Sequence, residues 1–147
     1  MTAETKRTLV MVDDDPEDIL LVKTAVRRAD LPLEVVSIYD GDALFAYLEQ
    51  GNFPTDVSPS TPPLIIFLDL NMPRLDGRKC LERLKNNPDW AELPILVFST
   101  SEAPDDIRRC YELSANSYIC KPDDPQALDK ILSTVYRYWF GEVRSDV

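Results

Sequence analysis

The sequence contains no histidine. That excludes histidine-based catalysis and histidine metal ligands. Basic charge is also scarce: 16 Lys and Arg stand against 26 Asp and Glu, a formal net charge of −10. Nucleic acid is therefore not an expected partner, because phosphate binding needs a basic face. Divalent cations or a basic protein surface suit the charge better. The three cysteines, Cys80, Cys110 and Cys120, are odd in number and lack metal-ligand spacing. They read as reduced core thiols, which suits a cytoplasmic protein. No apolar run is long enough to span a membrane, and Met1 to Thr8 is polar, without the apolar stretch of a signal peptide.

What remains is a chain of 147 residues with 44% hydrophobic content, enough for one domain with one sizeable core. Its organising stretch is Leu64-Ile65-Ile66-Phe67-Leu68-Asp69-Leu70-Asn71-Met72-Pro73. An apolar, partly β-branched run that ends in one carboxylate reads as a strand buried on both faces, as in a parallel sheet. Asp69 then sits at the strand's carboxyl end, where open α/β sheets place their ligands. Taken alone, it reads first as a solvated turn residue closing the strand, and the rest of the chain decides against that.

The same alternation runs through the chain. Thr8 to Val12 is a first strand, ending in Asp13-Asp14-Asp15-Pro16. Asp15 suits a helix N-cap and Pro16 the first helical position, with Glu17 and Asp18 favourable to the helix dipole. Ile19, Val22, Val26 and Ala29 follow at helical spacing. Leu33 to Ile38 is a second strand. Asp40 caps a helix with Leu44, Tyr47 and Leu48 on its apolar side. Gly51 to Pro63 reads as a long surface loop. After the Asp69 strand, Met72 to Gly77 form a turn and Cys80, Leu81 and Leu84 mark a third helix, stopped at Asn86-Asn87-Pro88. Ile95 to Phe98 is a fourth strand ending in Ser99-Thr100-Ser101. Pro104-Asp105-Asp106 opens a helix with a thin apolar side of Ile107, Cys110 and Tyr111. Ser117 to Cys120 is a fifth strand, ending in Lys121-Pro122. Asp124-Pro125 opens the last helix, with core stripe Leu128, Ile131, Leu132, Val135 and Trp139. Five strands alternating with five helices imply right-handed crossovers and an α/β fold with helices on both faces of a parallel sheet. No second domain is expected across residues 1–147, with the core at about 8–140 between short polar tails.

Polar groups stand at the strand ends: Asp13 and Asp14, Asp69, Ser99 and Lys121. In a flavodoxin-like order 2-1-3-4-5, strands one, three, four and five are neighbours, so these five groups meet in one crevice. Clustered carboxylates raise one another's pKa unless a cation sits among them. Oxygen ligands of this kind select a hard cation such as Mg²⁺. A carboxylate can also attack phosphorus, and a Lys, a hydroxyl and Mg²⁺ balance charge on a transferring phosphoryl group.

With these residues in place, the chain resembles the receiver domain of two-component response regulators. The matching pieces are Val12-Asp13-Asp14, Leu68 through Gly77, Pro94 through Ser101, and Tyr118-Ile119-Cys120-Lys121-Pro122, in order across nearly the whole chain. The resemblance implies that Asp69 is the phosphoacceptor for a sensor histidine kinase or phosphotransfer protein. It implies direct Mg²⁺ ligation by Asp14, Asp69 and the backbone carbonyl of Asn71, with Asp13 acting through water. Ser99 resembles the hydroxyl that follows the phosphoryl group, Lys121 the lysine that pairs with Asp69 or its phosphate, and Tyr118 the switch aromatic. Asn71 and Ser101 fall at positions that tune dephosphorylation. The family catalyses its own phosphotransfer and autodephosphorylation and is not otherwise an enzyme. One departure is Asp123, where many receivers carry an apolar residue. The acidic first turn, the long loop, the Ser-Thr-Ser strand end and the aromatic last helix are similar to those of stand-alone regulators paired with bacterial phytochromes.

Several positions keep a second reading. Asp14 also fits an extended acidic cap, Ser99 a backbone-bonded strand end, Lys121 a surface lysine, Tyr118 an ordinary half-buried aromatic, and Asp76 a turn residue before Gly77. Tyr136, Phe140 and Val143 form a second apolar line on the last helix, either a wide core stripe or a homodimer or partner face. Because the sequence ends soon after that helix, no output domain is expected and the signal passes by protein–protein contact. Two competing classes remain. A haloacid dehalogenase-type phosphatase expects an acid where Asn71 stands. A phosphorylation-independent receiver-like binding module would not need the complete set Asp14, Asp69, Ser99 and Lys121.

Overall fold

A computed structural model describes residues 6–51 and 62–141. Its elements run β1 (Arg7–Val12), α1 (Pro16–Arg28), β2 (Leu33–Ile38), α2 (Gly41–Gln50), β3 (Leu64–Leu68), α3 (Gly77–Asn86), β4 (Ile95–Ser99), α4 (Pro104–Glu112), β5 (Ser117–Cys120) and α5 (Pro125–Trp139). The strands form one sheet in the order β2-β1-β3-β4-β5, and every pairing is parallel. The expected doubly wound, flavodoxin-like architecture is thus present. Most of the expected long loop, the N-terminal tail through Thr5 and Val143 lie outside the described residues.

Local chemistry sets the helix starts. Asp15, Asp40, Asp76 and Asp124 each accept a backbone N–H from the first turn of the helix they precede. Asp76 is therefore a cap, which settles it as the turn residue before Gly77. Pro occupies the start of α1, α4 and α5, where its missing N–H costs no hydrogen bond.

Strand side chains alternate between two cores, as a period of two requires. Leu9, Met11, Ile65, Phe67, Leu96 and Phe98 pack against α1 and α5. Val10, Val12, Ile66, Leu68, Ile95 and Val97 pack against α2 and α3. Arg28 on α1 and Asp129 on α5 tie the two helices of the first face with hydrogen bonds of 2.9 and 2.6 Å.

Two helix readings are corrected, and on the last helix the structure chooses between the two left open. On α2 the buried aromatic is Phe45, stacked on Trp90 at 5.6 Å between ring centroids, while Tyr47 is only partly buried. On α4 only Cys110 is buried, and Tyr111 is exposed with its hydroxyl accepting the Tyr118 N–H at 3.1 Å. On α5 Phe140 is buried within the first core and Tyr136 packs against that core. The packing supports the wide core stripe and takes Phe140 out of any partner face.

Candidate functional site

The carboxyl ends of β1, β3, β4 and β5 converge because all four strands point the same way and are consecutive neighbours. The Asp13 N–H donates to Ile38 and the Asp69 N–H to Val12, both at 3.0 Å, so both acids extend the sheet's pairing by one residue. Asp13 and Asp69 are buried, whereas Asp14 is exposed. One carboxylate oxygen from each of Asp13, Asp14 and Asp69 lies within 4.8 Å of the others. Ser99 is fully buried at the end of β4, and its Oγ accepts the Ser101 N–H at 3.2 Å.

Lys121 enters from the end of β5. Its Nζ donates to Asp13 Oδ2 at 2.7 Å and to Asp18 Oδ2 at 2.7 Å, and stands 3.7 Å from Asp69 Oδ1. The pairing expected with Asp69 is therefore the loosest of its three contacts. Asp18 is the residue that sequence reasoning missed. As an acid in a helix's first turn it had a sufficient local explanation, and nothing in the spacing linked it to a residue on β5. The Phe98 ring centroid lies 5.8 Å from the lysine ammonium.

The electrostatics follow from burying more negative than positive charge. Desolvation pushes the Asp69 carboxyl up to about 6; Asp13 and Asp14 add to the rise, while Lys121 and the Asn71 N–H oppose it. Desolvation likewise raises Asp13, outweighing its hydrogen bonds from Lys121 and from the Asp15 N–H. Burial alone would lower Lys121, but Asp13, Asp18 and Asp69 hold it above the ordinary lysine range.

Around this centre lies a second set of contacts. The Tyr118 hydroxyl donates to the Ser101 carbonyl at 2.9 Å, tying β5 to the segment after Ser99. Ser101 Oγ donates to Asp106 at 2.6 Å, and Asp106 in turn accepts from Arg78 at 2.7 Å. Asn71 is exposed. The turn after it folds back so tightly that the Gly77 N–H donates to the Leu70 carbonyl at 2.9 Å. A Cβ on Gly77 would overlap the Asp69 carbonyl oxygen, so glycine is required where α3 starts against the β3 end. The structure thus brings Asp13, Asp14, Asp69 and Lys121 together, with Ser99 and Tyr118 on the adjoining strands.

Comparison with known proteins points to one family. The family model described as the response regulator receiver domain matches residues 9–133. Response regulator Rcp1 of Synechocystis sp. is 32% identical over 137 residues, 93% of this chain and 91% of Rcp1. The phosphorylated cyanobacterial phytochrome response regulator RcpA superposes with a TM-score of 0.76 at 34% identity, covering 92% of this chain and 94% of RcpA. The Mn²⁺-bound form of Rcp1 superposes with a TM-score of 0.75 at 31% identity, covering 96% of this chain and 99% of Rcp1.

Proposed function

The chain belongs to the response regulator receiver domain family, and on that premise we propose that Asp69 is its phosphoacceptor in a two-component phosphorelay. The observation that carries the reading is the acidic triad with a lysine at its edge: three carboxylates within 4.8 Å and Lys121 Nζ 3.7 Å from Asp69. Receiver domains in general bind Mg²⁺ or Mn²⁺ at such an acidic pocket, and a relative has been solved with Mn²⁺ bound.

The donor set fits a hard cation, since all its atoms are oxygens and the site carries excess negative charge. Asp14, Asp69 and the Asn71 carbonyl would hold the ion. Asp13 would act through water, because its Oδ1 already accepts the Asp15 N–H and its Oδ2 accepts Lys121. When bound, Mg²⁺ supplies charge neutralisation on the transferring phosphoryl group.

Asp69, with a pKa of about 6, is ionised at neutral pH and serves as the nucleophile. Its carboxylate oxygen attacks phosphorus while the bond to the donor histidine nitrogen breaks and the electron pair leaves with that nitrogen. Lys121 meets the charge on the phosphoryl oxygens, and the Ser99 hydroxyl donates to one of them. Movement of Ser99 pulls the Ser101 segment that Tyr118 holds, so the signal leaves through β4, β5 and α4 as an altered protein–protein surface. Similarity to RcpA, a phytochrome response regulator, supports a sensor kinase of the bacteriophytochrome type as donor. Autodephosphorylation is the self-catalysed return step.

Intact mass after incubation with acetyl phosphate, with and without Mg²⁺, tests the reading. One Mg²⁺-dependent phosphoryl adduct is expected, absent from Asp69→Asn. An adduct that survives in Asp69→Asn assigns another acceptor. No adduct under any condition favours the phosphorylation-independent binding module.

A further inference from the structure

Lys121 is shared unequally. Its ammonium lies 2.7 Å from both Asp13 and Asp18 and a full ångström farther from Asp69. Its two close partners differ in exposure. The Asp13 side chain is 1% exposed and that of Asp18 27%. If the lysine leaves, water can reach Asp18 and replace it, whereas Asp13 would be left as an uncompensated buried charge. Asp18 is therefore the contact that the lysine can give up at the lower cost.

We propose that Asp18 is a positioning residue that retains Lys121 away from Asp69 in the unphosphorylated protein, and that phosphorylation exchanges the Lys121–Asp18 ion pair for one with the phosphoryl oxygens. The proposal rests on the phosphoacceptor reading above. Lys121 keeps Asp13 throughout and swings between Asp18 and the phosphoryl group. Asp18 then competes with the phosphoryl group for one cation, and its charge sets how completely the phosphorylated state forms. The site thereby resists switching until a full phosphoryl charge is present.

The test is calorimetric titration of the Mg²⁺-loaded protein with beryllofluoride, which stands in for the phosphoryl group on a carboxylate. Asp18→Asn is expected to bind about fivefold tighter than wild type, the size of effect that a partly exposed ion pair carries. Asp18→Glu, which keeps the charge, is expected to return affinity towards wild type. Asp15→Asn removes an equal charge from the same helix end while keeping an effective N-cap, and is expected to stay within about twofold of wild type. Unchanged or weaker binding by Asp18→Asn overturns the proposal. So does an equal gain in Asp15→Asn, which would reduce the effect to general anion repulsion. Failure of the wild type to bind beryllofluoride overturns the phosphoacceptor reading and this inference with it.

Discussion

Two half-buried lysines sit at opposite edges of one sheet. Lys85 lies beneath the amino edge, where its Nζ donates to the Ala91 and Leu93 carbonyls at 3.2 and 3.4 Å and to Asn116 Oδ1 at 3.2 Å. Those oxygens are neutral, and burial lowers its pKa. Asn116 Oδ1 also accepts the Ile95 N–H at 2.8 Å, so this cluster closes the start of β4. Lys121 lies at the carboxyl edge among three carboxylates, and those anions hold its pKa up against the same desolvation. Burial alone thus does not distinguish the two lysines. An excess of buried opposite charge does, because it stores electrostatic free energy that a cation or phosphoryl group can release. The amino edge is satisfied; the carboxyl edge is not.

The contrast is broken most severely by Lys121→Ala. Removing the cation leaves Asp13 buried without its partner, a loss on the order of 3 kcal/mol at neutral pH. Urea unfolding is expected to show that loss in metal-free protein and a smaller one as Mg²⁺ is added, because either cation offsets the acidic cluster. Some phosphorylation is expected to persist in this variant, with the downstream response uncoupled, as read by partner binding of the phosphorylated protein.

Asp69→Asn acts in the opposite direction. A carboxyl with its folded pKa raised to about 6 from an ordinary 3.8 gives its full stabilisation below about pH 4 and loses it as pH rises through 6. Ionised Asp69 is thus a burden on the metal-free fold at neutral pH. Asp69→Asn is expected to gain on the order of 2 kcal/mol at pH 7.5 and nothing near pH 3.5, from unfolding curves at the two pH values. An equal gain at both would mean that the buried negative charge of Asp69 is not the cause.

The amino edge sharpens the comparison. Lys85→Met keeps the aliphatic stem and removes three hydrogen bonds, so a loss of about 1–2 kcal/mol is expected. Acetyl phosphate labelling of Asp69 is expected to be unchanged; a change would show that the two edges are coupled. The smallest effect belongs to Tyr118→Phe. It removes one donor from the Ser101 carbonyl, about 1 kcal/mol or less, and is expected to alter the response to phosphorylation rather than its extent.

Much of this fold is legible in the residues because its signals are local. Asp-Pro pairs at the starts of α1 and α5, the apolar runs of β1, β3 and β4, and Asn86-Asn87-Pro88 at the end of α3 each act through neighbours in the chain. The candidate acids were legible for the same reason, since each stands at a strand's end. Phe45 went unnamed and the role of Phe140 stayed open between core and partner face, because helical spacing marks a face without saying how far the core extends around it. Asp18 was missed because it lies 103 residues from Lys121 in the chain.

Alternation of apolar runs with capped helices was sufficient to dictate a parallel sheet and to bring Asp13, Asp14, Asp69, Ser99 and Lys121 to one edge. The division of Lys121 among its carboxylates, the rise of Asp69 to about 6 and the burial of Phe140 were decided by tertiary packing. Periodicity and capping depend on residues a few positions apart. Desolvation and ion pairing depend on distances of a few ångströms between elements that the chain brings together only when folded.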